Sequence, residues 1–283
     1  MNKVINNKEI VKSEDNKDLY NSNNKYKIIG SINLQNIKYL SFKYITEDII
    51  KYHSSWDIIF QDKNINSLLM DIINKLQRED PLTILPNKDN IFDAFIHTTM
   101  PPKVVILGVE PNNKIFNLKS EATGLAYHNA SHNMSNNLRG ICKEIYRDNI
   151  DDNELYNLKL NHLNKCKKID LRKWANAGIL LLNCSLTVKA NESGSHQKIW
   201  NDFTNALLEL ISQKFRYITY MLWGNTAKTK AQYINKDNNY ILEANSTTIN
   251  FENSKHFSKC NNYLHSHAME PIDWIKLLDD SIY

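Results

Sequence analysis

The sequence is poor in the features that mark secreted and membrane proteins. Its cysteines are few and far apart, which excludes a dense disulfide scaffold and a C-x-x-C redox or zinc motif; they are Cys142, Cys166, Cys184 and Cys260. No apolar run approaches the roughly 20 residues that span a bilayer, and the first residues lack the apolar core of a secretory signal. We therefore expect no membrane partner and a nuclear or cytoplasmic protein, of cellular or viral origin.

Charge of one sign is not in strong excess either. The formal net charge is +4 over 283 residues, a mildly basic balance that permits nucleic-acid binding without requiring it. Hydrophobic residues make up 42% of the chain, enough for a folded core. Residues 1–36 differ, because Asn, Lys, Asp and Ser dominate them without a period that buries a face. We expect a disordered or loosely attached extension there and a single domain over residues 37–283.

Apolar residues beyond residue 55 follow two patterns. Helical spacing marks residues 68–76 and residues 195–211, where Ser195 is placed to cap the second helix. Short continuous apolar runs, which suit buried parallel strands, span residues 104–107, 179–182, 217–223 and 240–242. Strands that alternate with helices predict an α/β fold with a central four-stranded parallel twisted sheet, flanked by helices in three αβα layers.

Functional loops in such folds follow the carboxyl ends of the strands. The loops should therefore begin after Gly108, Asn183, Gly224 and Ala244, and they should converge at one edge of the sheet.

Sequences at these loops resemble those of uracil-DNA glycosylases. The longest match is LLLNCSLTVKANESGSH at 180–196, which resembles the family's base-reading strand and following loop. The other matching stretches are VVILGVEPNN at 104–113 (the family's G-Q-D-P-Y-H segment), ATGLAYH at 122–128, MLWGNTAKTK at 221–230 and HFSKCNNYLHSHAMEPIDW at 256–274. Several ordered matches across about residues 55–277 are far more specific than a lone short pattern. The resemblance implies the family's fold and a pocket for a base flipped out of DNA.

The base-binding half of that pocket is the better matched half. The resemblance puts the uracil-reading carboxamide at Asn183 and the base-stacking ring at Tyr127. Val109 stands where the family's Gln contributes loop backbone, and Asn112 stands where the family's Tyr excludes the methyl group of thymine.

The bond-breaking half departs from the family. Glu110 replaces the water-activating Asp and lengthens its arm by one methylene. The family's H-P-S-P-L-S loop reads EANSTTINFENS at 243–254, and no histidine lies between His196 and His256. Asn245 or Ser246 therefore stands at the position of the histidine that stabilises the leaving base, and neither is expected to perform that role. Loss of one such preorganised donor costs about 10²–10³ in rate.

The resemblance also implies a DNA-contacting surface. Its predicted residues are Ser135 and, at the position of an intercalating Leu, Ile249. Four lysines flank the predicted loops and are expected to face either DNA phosphates, which we favour, or solvent; they are Lys228, Lys230, Lys255 and Lys259. His196 and His256 fit either packing or a phosphate contact. We expect no cofactor and no metal, because the pairs His128/His132 and His265/His267 lack a Cys or carboxylate at matching spacing.

Three functions are compatible with these observations. The first is a DNA glycosylase of base-excision repair whose excision is weakened, lost or retuned. The second is a non-catalytic DNA-binding subunit, such as a polymerase-processivity subunit. The third is a protein-interaction scaffold or inhibitor decoy. We expect a monomer that binds single- or double-stranded DNA, with a replication or repair protein as a further partner.

Overall fold

A computed structural model describes the backbone of residues 37–41, 49–130, 133–248 and 251–282, with side chains from Tyr52 onward. These residues belong to one compact unit, Asn33–Tyr283. The predicted extension, residues 1–36, lies outside the described residues, so its looseness stays a prediction. Among the described helices, none is both long and apolar enough to cross a membrane.

Ten strands occur in the described residues, most of them short. In chain order they are β1 Ile37–Ser41, β2 Ile49–His53, β3 Ile84–Leu85, β4 Val104–Gly108, β5 Ile115–Phe116, β6 Lys119–Ser120, β7 Ile179–Asn183, β8 Val188–Lys189, β9 Thr219–Trp223 and β10 Tyr240–Ala244.

Ten α-helices accompany these strands in the described part of the chain. They are α1 Asp57–Phe60, α2 Lys63–Leu76, α3 Asp93–His97, α4 Asn136–Asn149, α5 Asn153–Lys165, α6 Arg172–Asn176, α7 Gln197–Lys214, α8 Asn225–Lys228, α9 His256–Ser266 and α10 Trp274–Asp279. Short 3₁₀ turns at Ser54–Trp56, Pro81–Thr83, Lys88–Asn90 and Thr229–Tyr233 connect several of them.

The central sheet has four parallel strands in the order β10-β9-β4-β7. Every residue of β4, β7 and β9 is buried, because helices cover both faces of the sheet. On the helical layers, α2 packs on α7, while α4 packs on α5, α9 and α10. The predicted four-stranded parallel sheet in a three-layer α/β fold is thus confirmed.

Two predicted boundaries are wrong in detail. The third strand begins at Thr219 and not at Tyr217, whose backbone is left-handed with φ of +65° and whose N–H donates to the Asn238 carbonyl at 2.7 Å. Helix α7 begins at Gln197, and Ser195 does not cap it. The Ser195 hydroxyl instead accepts from the Lys189 N–H at 2.8 Å, so it closes the loop onto β8.

A buried carboxylate on α4 fixes the segment that follows β10. Glu144 is almost fully buried, and its two oxygens accept hydrogen bonds from the Asn253 N–H at 2.9 Å, the Ser254 hydroxyl at 3.2 Å and the Lys255 N–H at 3.1 Å. On the next helical turn Asp148 accepts from the Ser258 N–H at 2.8 Å. Helix α4 therefore sets the path of the chain between β10 and α9.

We expect Glu144→Ala to lower the free energy of unfolding by about 1–3 kcal/mol, because it leaves three donors without their acceptor. Glu144→Gln should have an intermediate effect, since one acceptor oxygen remains. Denaturant unfolding measures the change, with the exposed Glu209→Ala on α7 as control. Equal effects of Glu144→Ala and Glu209→Ala would contradict this role.

Candidate functional site

The loops at the carboxyl ends of the strands meet in pairs. Gly108 and Asn183 are register partners at the ends of β4 and β7, and beyond them the Cys184 N–H donates to the Gly108 carbonyl at 2.9 Å. At the same edge, the other two strands, β9 and β10, are joined by a hydrogen bond from the Gly224 N–H to the Ala244 carbonyl at 3.1 Å. The carboxyl edge of the sheet is therefore the place where the predicted site residues gather.

Asn183 presents a buried carboxamide at the end of β7. The residue as a whole is only 4% exposed. Its Oδ1 has no hydrogen-bond partner among the described residues. The carboxamide lies directly on the Cα of Gly108, where an added Cβ would collide with Asn183 Oδ1 and come within 2.9 Å of Ala126 Cβ. An unpaired buried acceptor costs about 1–3 kcal/mol, so a ligand that donates to Oδ1 would recover that energy.

Tyr127 stands beside this carboxamide on a strained turn. Its φ is +64°, a conformation that bulky residues rarely adopt. The preceding Ala126 N–H donates to the Leu181 carbonyl of β7 at 3.0 Å, and the Tyr127 hydroxyl donates to the Leu107 carbonyl of β4 at 3.4 Å. Its half-buried ring lies 5.7 Å from the ring of Trp223, and burial raises the pKa of its hydroxyl. The Tyr127 turn is thus tied to β4 and β7 close to the ends that carry Gly108 and Asn183.

Glu110 follows β4, and the loop after β8 holds its carboxylate. The Gly194 N–H donates to Glu110 Oε2 at 2.8 Å, and the Ser193 hydroxyl donates to Oε1. A backbone hydrogen bond from Asn191 N–H to the Asn113 carbonyl, 2.8 Å long, joins the same two loops. The sequence placed Ser193 and Gly194 in a matched stretch but gave no signal of this contact, since neither residue type is diagnostic of it.

Asn112 and Val109 occupy different parts of the same loop. The Asn112 amide donates to Glu121 Oε2 at 2.9 Å, and its carbonyl oxygen accepts from the Lys114 N–H at 3.0 Å. The side chain of Asn112 therefore bonds with the segment that follows it. Val109 contributes backbone, because its carbonyl accepts from the Ser185 N–H at 3.0 Å.

Residues 245–248, which directly follow β10, carry only uncharged polar side chains. Asn245 Oδ1 accepts from Lys228 Nζ at 3.3 Å, and the Ser246 and Thr248 hydroxyls lie 3.0 Å apart. Thr247 is buried and donates to Asn137 Oδ1 of α4 at 2.8 Å. Both positions aligned with the family's histidine thus hold uncharged groups that are engaged within the protein.

His196 and His256, the nearest histidines on either side of this loop in sequence, are both engaged in contacts within the protein. His256 is buried, accepts from Trp223 Nε1 at 2.8 Å and bonds to the Glu243 backbone; burial, then the nearby Lys259, lower its pKa to about 4. His196 is also buried, between the Thr187 hydroxyl at 2.8 Å and Glu79 Oε2 at 3.1 Å. These contacts favour packing over phosphate binding for both residues.

Of the predicted DNA-contacting residues, Lys255 is exposed and Lys228 is half-buried beside Asn245. Ser135 is the N-cap of α4, where its hydroxyl accepts from the Leu138 N–H at 3.2 Å. Ile249 lies outside the described residues.

The prediction that Lys230 belongs to this surface is wrong. It is 5% exposed, and its Nζ donates to Asn201 Oδ1 at 2.9 Å and Asn205 Oδ1 at 2.6 Å of α7. Burial lowers its pKa. The chain buries Lys230 because these two amides provide acceptors for its ammonium group.

The titratable groups near the pocket form no metal site in the described part of the chain, where no group of three His, Cys, Asp or Glu side chains comes together. His128 is buried with its Nδ1 2.9 Å from the Thr123 hydroxyl, and burial lowers its pKa to about 4. Cys184, next to Asn183, is a free thiol whose pKa burial raises to about 11. Both groups are uncharged at neutral pH.

The contact between Gly108 and Asn183 makes a testable prediction. Gly108→Ala should destabilise the protein by roughly 1–3 kcal/mol, because the new methyl group overpacks the strand ends. In an Asn183→Ala background the same change should cost at least about 0.5 kcal/mol less, because one colliding partner is gone. Denaturant unfolding of the parent protein, the two single variants and the double variant measures this coupling. As control, the same cycle is run with Gln213→Ala, at the exposed end of α7, in place of Asn183→Ala. If the changes in unfolding free energy from Gly108→Ala and Asn183→Ala simply add in the double variant, the contact is contradicted.

Comparison with known proteins gives relatives of one kind. No protein-family model matches the chain. Among curated proteins, the uracil-DNA glycosylase of Campylobacter hominis is 36% identical over 234 residues, which cover 80% of this chain and 93% of that protein. The uracil-DNA glycosylase of Buchnera aphidicola is 34% identical over 231 residues, covering 78% of this chain and 96% of the relative.

Solved structures with a similar fold carry the same name. The mimivirus uracil-DNA glycosylase matches with a TM-score of 0.61 at 21% identity, over 78% of this chain and 86% of that one. The UNG of Nitratifractor salsuginis matches with a TM-score of 0.53 at 17% identity, over 76% of this chain and 91% of that one. At these identities the structural similarity bears on the fold alone.

Proposed function

The chain belongs to the uracil-DNA glycosylase family, and from that premise we propose that it binds a pyrimidine base flipped out of DNA and excises uracil slowly. One observation carries the binding half of this proposal. Asn183 holds a buried carboxamide oxygen with no partner among the described residues, and the turn that carries the half-buried ring of Tyr127 is bonded to the same two strands, β4 and β7. A flipped base offers the ring N–H that this oxygen lacks, together with a flat face for the tyrosine.

Recognition would divide between the two side chains. The Asn183 carboxamide combines an acceptor and a donor, which match the adjacent N–H and carbonyl of the uracil edge. In that orientation of the carboxamide, cytosine presents an unprotonated ring nitrogen to Oδ1 and leaves it unpaired. Gly108 permits this arrangement because a side chain at that position would displace the carboxamide. The pocket is therefore selective for a base with an N–H at the ring position that faces Asn183.

Bond cleavage is the weaker half of the proposal. Glu110 is the carboxylate nearest in sequence to the pocket strands, and its charge suits an oxocarbenium-like sugar or an attacking water. Both of its oxygens already accept hydrogen bonds, from Ser193 and Gly194. Residues 245–248 offer no imidazole to the departing base anion. Loss of such a donor alone predicts a rate lower by about 10²–10³.

A non-catalytic DNA-binding role is the second candidate, and the composition of residues 245–248 favours it. In this role DNA binding depends on salt and survives Glu110→Gln, because no excision is required. Base-excision repair follows from the family if the excision rate is sufficient. A replication or repair protein as partner, and a nuclear or cytoplasmic location, stay predictions.

Excision of uracil from single-stranded DNA tests the two candidates. We expect slow release of free uracil under single-turnover conditions, and at least a tenfold increase in Asn245→His or Ser246→His, because an imidazole can stabilise the leaving anion. Gln213→His, on the exposed end of α7, should leave the rate unchanged.

Asn183→Ala should abolish release and weaken the preference for a strand with one uracil over a thymine-free strand with cytosine in its place. Absence of release in all of these proteins, with retained binding preference, would favour the non-catalytic subunit. Absence of uracil-dependent binding with salt-dependent DNA binding retained would contradict the base-binding proposal and leave the DNA-binding subunit, and absence of any DNA binding at low salt would contradict both candidates.

Asn112 generates a further prediction about the substrate base. Asn112 replaces the family's Tyr, and its side chain is hydrogen-bonded to Glu121 and Lys114. The steric barrier that this Tyr would present to the 5-methyl group of thymine is therefore absent. We expect the protein to bind single-stranded DNA with a flippable thymine nearly as well as DNA with uracil. Asn112→Tyr should raise discrimination against thymine by about tenfold or more, since one methyl group is worth roughly that much in a shaped pocket. Competition binding measures the ratio, with Asn113→Tyr as the matched control; an unchanged ratio in Asn112→Tyr would contradict the assignment.

A further inference from the structure

A small β-hairpin projects between the Glu110 loop and the Tyr127 turn. Strands β5 and β6 pair antiparallel, with Phe116 opposite Lys119, so a two-residue turn of Asn117 and Leu118 connects them. Both turn residues have left-handed backbone, with φ of +48° and +61°. These are the features of a type I′ turn, whose backbone twist matches that of the two strands.

The tip of this hairpin is apolar and exposed. Leu118 is 99% exposed, Phe116 57% and Ile115 42%. Leucine is a poor choice for this turn, because the left-handed position suits Gly or Asn and strains a larger side chain. Three exposed apolar side chains within four residues are more than a scattered surface residue, and neither burial nor turn geometry explains them, so they favour a contact made outside the chain.

The base of the hairpin is anchored to the pocket loops on both sides. The Glu121 N–H donates to the Lys114 carbonyl at 3.0 Å, and the Glu121 carboxylate accepts from Asn112. One residue further out from Asn112, the Asn113 carbonyl is bonded to the Asn191 N–H. The Ala130 N–H, beyond Tyr127, donates to the Glu121 carbonyl at 2.8 Å. The tip is thus held at a fixed place beside the pocket, about 7–10 Å beyond these anchors at roughly 3.3 Å per strand residue.

The charged residues that flank the apolar tip along the hairpin are positive. Lys114 and Lys119 flank it and are exposed, while the nearby acid, Glu121, is bonded to Asn112. An apolar point between two exposed cations suits a nucleic-acid duplex, whose stacked bases are apolar and whose backbone is anionic. A protein partner would be expected to meet a broader apolar surface than one turn.

We propose that the hairpin of residues 115–120 is a wedge that inserts Leu118, supported by Phe116, between stacked bases of duplex DNA next to the flipped nucleotide. Lys114 and Lys119 contact the phosphates on either side. The inserted side chain fills the gap that the extruded base leaves and so opposes its return to the stack. This inference rests on the proposed function, since the wedge serves the pocket only if that pocket receives a base from DNA. It predicts that the wedge contributes to binding of duplex DNA and not of single strands, which have no stack to open.

Leu118→Gly tests the wedge without disrupting the hairpin, because it creates the Asn-Gly turn that type I′ geometry prefers. Its thermal midpoint should equal or exceed that of the parent protein. The probes are a duplex with one deoxyuridine opposite adenine and 2-aminopurine beside it, and the same uracil-containing strand alone. We expect affinity for the duplex to fall about tenfold or more and affinity for the single strand to change less than about twofold. Binding of the parent protein should raise 2-aminopurine fluorescence through unstacking, and binding of Leu118→Gly should not.

Matched variants separate the wedge from general effects. Leu158→Ala removes another exposed leucine, on α5, and should change neither affinity nor fluorescence. Leu118→Met should retain both properties, because an apolar side chain is kept. Lys119→Ala should reduce the salt dependence of duplex binding by about one phosphate contact.

The outcomes distinguish failure of the wedge from failure of the proposed function. If the parent protein prefers uracil-containing DNA through Asn183 and Leu118→Gly matches it on both probes, the wedge is overturned and the proposed function stands. Equal losses on duplex and single strand also overturn the wedge, since they indicate a contact unrelated to the stack. If the parent protein binds neither probe, the proposed function fails and the wedge fails with it. Loss of a protein partner in Leu118→Gly with unchanged DNA binding assigns the tip to protein recognition and overturns the wedge.

Discussion

The close approach of β4 and β7 at their carboxyl ends is the constraint on which the site depends. The two strands are hydrogen-bonded neighbours, and their last residues, Gly108 and Asn183, form the final register pair. Because Gly108 has no side chain, the Asn183 carboxamide can lie against the backbone of β4, facing the Tyr127 turn. That turn is itself tied to β4 and β7 by backbone acceptors. A carboxamide and an aromatic ring are therefore positioned by the sheet and not by mobile loops, which preorganises them for a flat ligand.

Glu110 and residues 245–248 have a different kind of support. The Glu110 carboxylate is held by the loop after β8, and residues 245–248 are held by α4 and Lys228. These contacts give the loops defined paths, but they occupy the polar groups that catalysis would use. The proposed site thus combines an unsatisfied acceptor, at Asn183, with a carboxylate and a loop whose polar groups are already paired. This asymmetry is the physical reason to separate DNA binding from excision when the protein is assayed.

Much of the fold was predictable because apolar periodicity reports burial directly. Continuous apolar runs located β4, β7, β9 and β10, and helical spacing located α2 and α7. The predictions that failed concern polar residues whose partners are distant in sequence. Ser195 has the composition of a helix cap, yet it bonds to Lys189 because the loop folds back on β8. Lys230 looked like a surface cation, yet Asn201 and Asn205 on another helix provide it with buried acceptors.

The sequence by itself determined the family, the parallel sheet and the positions of Asn183 and Glu110 at or just beyond the ends of two strands, while Tyr127 was assigned by resemblance alone. These properties follow from local patterns and from ordered matches along the chain. Only the tertiary structure decided which polar groups are free and which are engaged: Asn183 Oδ1 is unpaired, whereas Glu110 bonds to Ser193 and Gly194. It also decided that residues 115–120 form a projecting hairpin with Leu118 at its tip. The reason is that hydrogen-bond satisfaction and exposure depend on neighbours brought together by folding, and a linear sequence does not specify those neighbours.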